Sequence, residues 1–224
     1  KRMDCITLIF IYSFFFFSTM EGNQIVEQVL FHTKDKITLS GDLYHGGDAG
    51  IILLHMYTLT KQSWREFAQE LQQQMYRVLA IDFRGHGTSQ LDYQTFTEKD
   101  FNNMLLDVQA AKDFLDTKKT IVIGASIGAN IALKFAQETD GIVALSPAFN
   151  YKGIRTGEDA SNIHTPVLLI VSNEDIQSVE DTKKLHGLIS ESTLQIYSGK
   201  GHGTRMLDKE TKTFILQWLE SYRL

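Results

Sequence analysis

Cysteine is almost missing from this chain. Cys5 is the only one in 224 residues, so no internal disulfide can form, and the redox compartment stays open. Basic charge is not in excess either. Twenty-two Lys and Arg stand against 27 Asp and Glu, a net charge of −5, and no nucleic acid partner is expected without a basic face. No block of like charge is long enough to act as a tail. No CxxC or HExxH spacing occurs, so no metal site is expected. Repeats and linkers are missing too, and the only biased stretch is at the N-terminus. What remains, 43% hydrophobic and 22% charged, is the composition of a globular domain able to bury a sizeable core.

Residues 1–23 differ from everything after them. Lys1 and Arg2 precede an apolar run from Ile6 to Phe17, shorter than the roughly 20 residues that span a bilayer. Its length and basic start fit a signal-peptide core, although bulky Met20 is a poor neighbour for cleavage after Ser18. Three readings stay open: a cleaved signal, an uncleaved anchor, or translation starting at Met20. Residues 5–19 acting as a signal imply export or anchoring, and otherwise a cytoplasmic protein. Membrane association is expected only through residues 1–23.

From Gln24 the pattern alternates. "QIVEQVLFHT" and "KITLSGDLYH" read as a hairpin of two strands around Lys34-Asp35. "GIILLHMY", "YRVLAIDF", "TIVIGA", "GIVALSP", "TPVLLIVSN" and "TLQIYSG" read as buried strands. Helices are predicted between them, at "SWREFAQELQQQ" with Ser63 as its cap, "DFNNMLLDVQAAKDFLD", "IGANIALKFAQET", "VEDTKKLHGLIS" and "DKETKTFILQWLESY". Such alternation predicts one α/β domain over 24–224. Its sheet has eight strands, mostly parallel, with an N-terminal antiparallel hairpin and helices on both faces.

The stretch "IVIGASIGANIALKFA" sets Ser126 at a sharp strand-to-helix bend, with Gly124 and Gly128 on either side. Side chains at those two positions would crowd neighbouring backbone, and glycine also permits unusual dihedrals. The bend would push the hydroxyl into the crevice beyond the strand ends, where the helix aims its unpaired amides. This is the G-x-S-x-G nucleophile elbow. A serine needs a base to take its proton and an acid to orient that base, in the chain order Ser, Asp or Glu, His. His202, in "GKGHGTR", follows the last strand, and Glu174 and Asp175 follow the strand before it. Asp175 is favoured over Glu174 because it sits deeper in its loop, and Asp181 on the next helix is expected to be solvated. His32, His45, His164 and His186 read as surface or packing residues.

With these motifs the chain resembles the α/β-hydrolase superfamily over essentially all of 24–224. "LLHMYTLT" is similar to the family's His-Gly segment, "DFRGHGTS" to its Asp-x-Arg-Gly-His-Gly-x-Ser motif, and "TPVLLIVSNED" to its acid strand and loop. The resemblance implies an oxyanion hole from the backbone amides of Ile127 and Tyr57, although Met56 stands where glycine is usual. Asp82, Arg84 and His86 are expected to brace the loop beside the elbow. The stretch after the sixth strand, "AFNYKGIRTGEDASNIH", is too short for a helical lid domain. An open site of this kind is similar to small carboxylesterases, acyl thioesterases and dienelactone-hydrolase-like proteins. The expectation is a serine hydrolase acting on a small-molecule acyl ester through Ser126, His202 and Asp175, with no cofactor required. A thioesterase or peptidase with the same triad and an idle fold that only binds ligand are the alternatives.

Overall fold

A computed structural model of the chain describes residues 18–21 and 24–222. Most of the basic and apolar N-terminal segment, and with it the signal or anchor reading, lies outside the described residues. Among the described residues, eleven strands and six α-helices follow in chain order. They are β1 Ser18–Glu21, β2 Gln24–His32, β3 Thr38–Tyr44, β4 Ala49–Leu54, α1 Arg65–Gln73, β5 Arg77–Asp82, α2 Glu98–Asn102 and α3 Met104–Leu115. Then come β6 Lys119–Ala125, α4 Ile127–Lys134, β7 Gly141–Leu145, β8 Asn150–Tyr151, β9 Ile154–Arg155, β10 Val167–Ser172, α5 Ile176–Leu188, β11 Ser192–Tyr197 and α6 Lys209–Ser221.

The main sheet runs β1-β2-β3-β5-β4-β6-β7-β10-β11. From β5 to β11 every neighbouring pair is parallel, while β1, β2 and β3 pair antiparallel. The eight strands expected from Gln24 onward are all there. The ninth, Ser18–Glu21, pairs with β2 from within the segment set aside as a targeting sequence.

Strand periodicity builds two cores. Ile52, Leu54, Leu79, Ile81, Val122, Ile142, Ala144, Val167 and Leu169 face one side of the sheet, under Met104, Val108 and Ala111 of α3 and Ile131 of α4. Their immediate neighbours Ile51, Leu53, Val78, Ala80, Ile121, Ile123, Val143, Leu145, Leu168 and Ile170 face the other side, under Phe67 and Leu71 of α1 and Ile215 and Leu219 of α6. Successive strand side chains point to opposite faces, so a continuous apolar run fills both cores at once. Each fully buried Leu or Ile contributes about 2–3 kcal/mol, and truncating Leu54 to Ala in the central strand would cost about 2–5 kcal/mol.

Two expectations about the helices fail, the first being that "DFNNMLLDVQAAKDFLD" forms one helix: the chain divides at Asn103 into α2 and α3. Nor does Ser63 cap α1. A 3-10 turn at Lys61–Trp64 precedes that helix, and the Ser63 hydroxyl donates to the Thr60 carbonyl at 2.9 Å inside it.

The strand order reverses around β4. The chain leaves β4 for β5 on one side and reaches β6 on the other. Ligand sites of open α/β sheets lie beyond the carboxyl ends of strands at such a reversal. Here those ends carry His55 to Tyr57 and Ser126.

Candidate active site

Ser126 follows β6 directly and has φ 54° and ψ −117°, outside the wells that L-residues favour. Strain of this kind costs about 1–3 kcal/mol and must be held by its surroundings. The Ser126 amide donates to Leu145 O at 2.9 Å, and its carbonyl accepts from Ala129 N at 2.9 Å and Asn130 N at 3.1 Å. The flanking glycines answer to packing. A Cβ on Gly124 would lie 2.1 Å from Gly128 O, and one on Gly128 would lie 2.4 Å from Leu54 O and 2.8 Å from His55 O. Neither glycine has a positive φ, so the unusual dihedral falls on the serine itself. Ile127 opens α4, and as the first residue of a helix its N–H has no intrahelical acceptor.

His202 and Asp175 meet from two loops. The Asp175 carboxylate, at the N-terminus of α5, lies 2.5 Å from His202 Nδ1. That bond assigns the proton to Nδ1 and leaves Nε2 as the ring's free acceptor. Glu174 turns elsewhere, accepting from Ser172 Oγ at 2.5 Å, while Ser172 Oγ accepts from Lys200 N at 3.1 Å. The loop that carries His202 leans on the elbow: a Cβ on Gly203 would lie 3.5 Å from Ala125 Cβ and 2.1 Å from the Met56 sulfur.

After β4 the chain turns through His55, Met56 and Tyr57. His55 is fully buried. Its Nδ1–H donates to Met56 O at 2.7 Å and its Nε2 accepts from Phe83 N at 3.1 Å, which fixes one neutral tautomer. Burial holds this imidazole down at a pKa of about 4. The left-handed turn falls two residues after Met56, which itself has no positive φ. Thr58 takes the left-handed backbone at φ 67°, while the Met56 side chain is buried against the His202 loop. The Tyr57 ring is half-buried and meets His86, Tyr93, Phe101 and Tyr151 edge-on.

Asp82, Arg84 and His86 lie buried in a network of hydrogen bonds. Asp82 accepts from Lys61 N at 2.8 Å, Lys61 Nζ at 2.7 Å and Thr88 N at 3.1 Å. Arg84 joins buried Asp107 at 2.7 Å to Asp35 at 2.8 and 3.0 Å. His86 donates from Nδ1 to Arg84 O at 3.0 Å and stacks on Tyr93 with ring centres 4.3 Å apart. Burial lowers its pKa. Lys61, Asp35 and Asp107 were not singled out in the sequence. Asp107 carries a signal, since it lies on the apolar face of its helix beside Met104 and Val108, where a carboxylate needs a partner.

The stretch after β7 forms no helical lid. It makes the β8–β9 hairpin and a single 3-10 turn at Ala160–Asn162. Asn130, one helical turn after Ser126, ties this hairpin down by accepting from Ala148 N at 2.9 Å and donating to Ala148 O at 3.0 Å. Lys152, at the hairpin tip, sets its ammonium 4.6 Å from the Tyr57 ring centre. Asp181 is not solvated as expected. It is 6% exposed and accepts from Phe149 N at 3.0 Å, which fastens α5 to the start of the same stretch. Among the described residues no group of three or more His, Cys, Asp or Glu could hold a metal ion, and no helix is long and apolar enough to cross a membrane.

The profile of a hydrolase family described as serine aminopeptidase, S33, matches residues 47–157. The chain is 29% identical over 126 residues to the AB hydrolase superfamily protein YisY of Bacillus subtilis, covering 52% of this chain and 45% of that protein. It is 31% identical over 108 residues to epoxide hydrolase B of Mycobacterium tuberculosis, covering 46% of this chain and 30% of the relative. The chain thus spans less than half the length of either curated relative. Solved structures match over more of it. An esterase from Pyrococcus furiosus aligns with a TM-score of 0.73 at 22% identity, over 88% of this chain and 91% of that one. An esterase from a Rhodococcus species aligns with a TM-score of 0.75 at 16% identity, over 87% and 99%. At these identities the structures speak to the fold alone.

Proposed function

We infer that this chain, which belongs to the α/β-hydrolase superfamily, is a serine hydrolase that cleaves small acyl esters, a carboxylesterase. The observation that carries the reading is the 2.5 Å pairing of Asp175 with His202 Nδ1, on a loop packed against the strained Ser126 turn. In this reading Ser126 Oγ attacks the acyl carbon while His202 Nε2 takes its proton. Asp175 keeps the imidazole in one tautomer and stabilises its charged form. The amides of Ile127 and Tyr57 receive the tetrahedral oxyanion, and losing one such donor costs about 10²–10³ in turnover. His202 then protonates the leaving alcohol. It next activates a water that releases the acid from the acyl-enzyme. This chemistry asks for no cofactor.

A small acyl group is favoured because only a short hairpin follows β7, so little chain is available to enclose a long one. The test is hydrolysis of p-nitrophenyl acetate, butyrate and octanoate by the full chain beside Ser126→Ala. Rates should fall with chain length and vanish in the variant. Equal low rates in both proteins would remove the nucleophile. A peptidase reading has one observation in its favour, the matched family's description as a serine aminopeptidase. Ser126-dependent release of p-nitroaniline from aminoacyl anilides, faster than from the esters, would replace the esterase with it.

A further inference from the structure

Ser146 directly follows β7 and, like Ser126, has a positive φ. Its φ is 51° although it is not glycine, and it is 1% exposed. Three bonds meet at it and its neighbour. Leu145 O accepts the Ser126 amide at 2.9 Å, Ser146 N donates to Ile170 O at 2.8 Å, and Ser146 Oγ accepts the buried Gly203 amide at 3.0 Å. Two adjacent residues therefore hold the nucleophile turn, the strand leading to Asp175, and the loop bearing His202.

The His202 loop needs such a hold. Gly199, Gly201 and Gly203 all have left-handed φ values, 76°, 74° and 58°, so the backbone on both sides of the imidazole has glycine's freedom. Asp175 fixes one ring nitrogen but not the backbone that carries the ring. The Gly203 amide is the nearest main-chain group to His202 that an outside side chain grips among the described residues, and it donates to the Ser146 hydroxyl. A glycine at position 146 would take φ 51° without strain but would offer no acceptor. The strained serine is what the hydroxyl requires.

We propose that Ser146 is a positioning residue whose hydroxyl, by gripping the Gly203 amide, holds His202 in register with Ser126. The proposal rests on the reading of His202 as general base, and its test separates the two. Ser146→Ala and Ser146→Gly are made in the full chain. Both lack the hydroxyl, but only glycine relieves the backbone. Three quantities are compared with the unsubstituted chain: kcat and KM on p-nitrophenyl butyrate, the melting temperature, and the low-field proton resonance of His202 Nδ1–H, identified by its loss in His202→Ala.

Both variants should lose about 10- to 100-fold in kcat with KM unchanged within about twofold, the size of effect a misplaced catalytic group produces. The His202 resonance should shift or broaden in both. The glycine variant should melt no lower than the alanine variant and remain equally slow. A glycine variant with restored kcat and an unshifted resonance would overturn the proposal, because the backbone and not the hydroxyl would then be what matters. If the unsubstituted chain hydrolyses no ester, the esterase reading falls. The resonance then decides alone, and an unaltered signal in both variants overturns the role of Ser146.

Discussion

Ser126 and His202 both stand between glycines, and the two settings work in opposite ways. Around Ser126 the glycines have ordinary dihedrals and no room: an added Cβ on either would meet backbone at 2.1–2.4 Å. Ahead of His202 the room is ample and the dihedrals are unusual, whereas Gly203 just after it would set a Cβ 2.1 Å from the flexible Met56 side chain. Gly199 has nothing within 4 Å of an added Cβ, and Gly201 meets only Arg205, at 3.8 Å, yet both are left-handed. One turn is rigid because it is crowded, and its strain sits on the serine. The other is loose by composition and is made definite from outside, by Asp175, by the Met56 side chain and by Ser146. A sequence shows the same letters in both places, while the physical reasons differ.

Substitutions can break this contrast, and the largest effect falls on the crowded side. Gly128→Ala drives a Cβ into the carbonyl oxygens of Leu54 and His55 at the end of the central strand. It should cost about 3 kcal/mol or more by chemical denaturation. A loss under about 1 kcal/mol would mean that the turn can relax.

A second effect comes from the wall of that turn. Burial holds the His55 imidazole at a pKa of about 4, so between that value and about 6.5 the unfolded chain binds a proton that the native chain refuses. This contribution is complete above about pH 6.5 and is lost as pH falls toward 4. The advantage of the unsubstituted chain over His55→Asn should therefore shrink by about 2 kcal/mol between pH 7 and pH 5. Taking the difference removes the other titrating groups, among them Asp107, which burial pushes up to about 7 against the pull of Arg84. A pH-independent difference would contradict the neutral buried imidazole.

Ser126→Gly should raise stability by about 1 kcal/mol while abolishing turnover, because it releases the strain at φ 54° and removes the hydroxyl. A drop in melting temperature would locate the strain elsewhere. The smallest effect belongs to the loose side. Gly199→Ala meets no atom and has only its φ of 76° to oppose it, so it should cost about 1 kcal/mol.

Strands and helices were legible because the continuous apolar runs and the 3.6-residue spacing each had one physical solution. The strand-to-helix bend at Ser126 was legible because its two close glycines and the apolar strand before them constrain one another. Asp175 against Glu174 was harder. Both carboxylates follow β10, and they part only because Ser172 takes one and His202 the other. Ser63 looked like a helix cap until the turn at Lys61–Trp64 drew it inside. Asp181 read as solvated because nothing in a helical pattern says that the backbone of Phe149 will reach it. Ser146 left no trace in the sequence. Its role depends on a φ value and on a loop 57 residues away.

The most direct test of the central claim, that Ser126 is an activated nucleophile paired with His202 and Asp175, is covalent labelling of the full chain by a fluorophosphonate, with the site mapped by mass spectrometry. One adduct is expected, on Ser126, abolished in Ser126→Ala and slowed strongly in His202→Ala. No adduct, or an adduct at equal rate in His202→Ala, would contradict it.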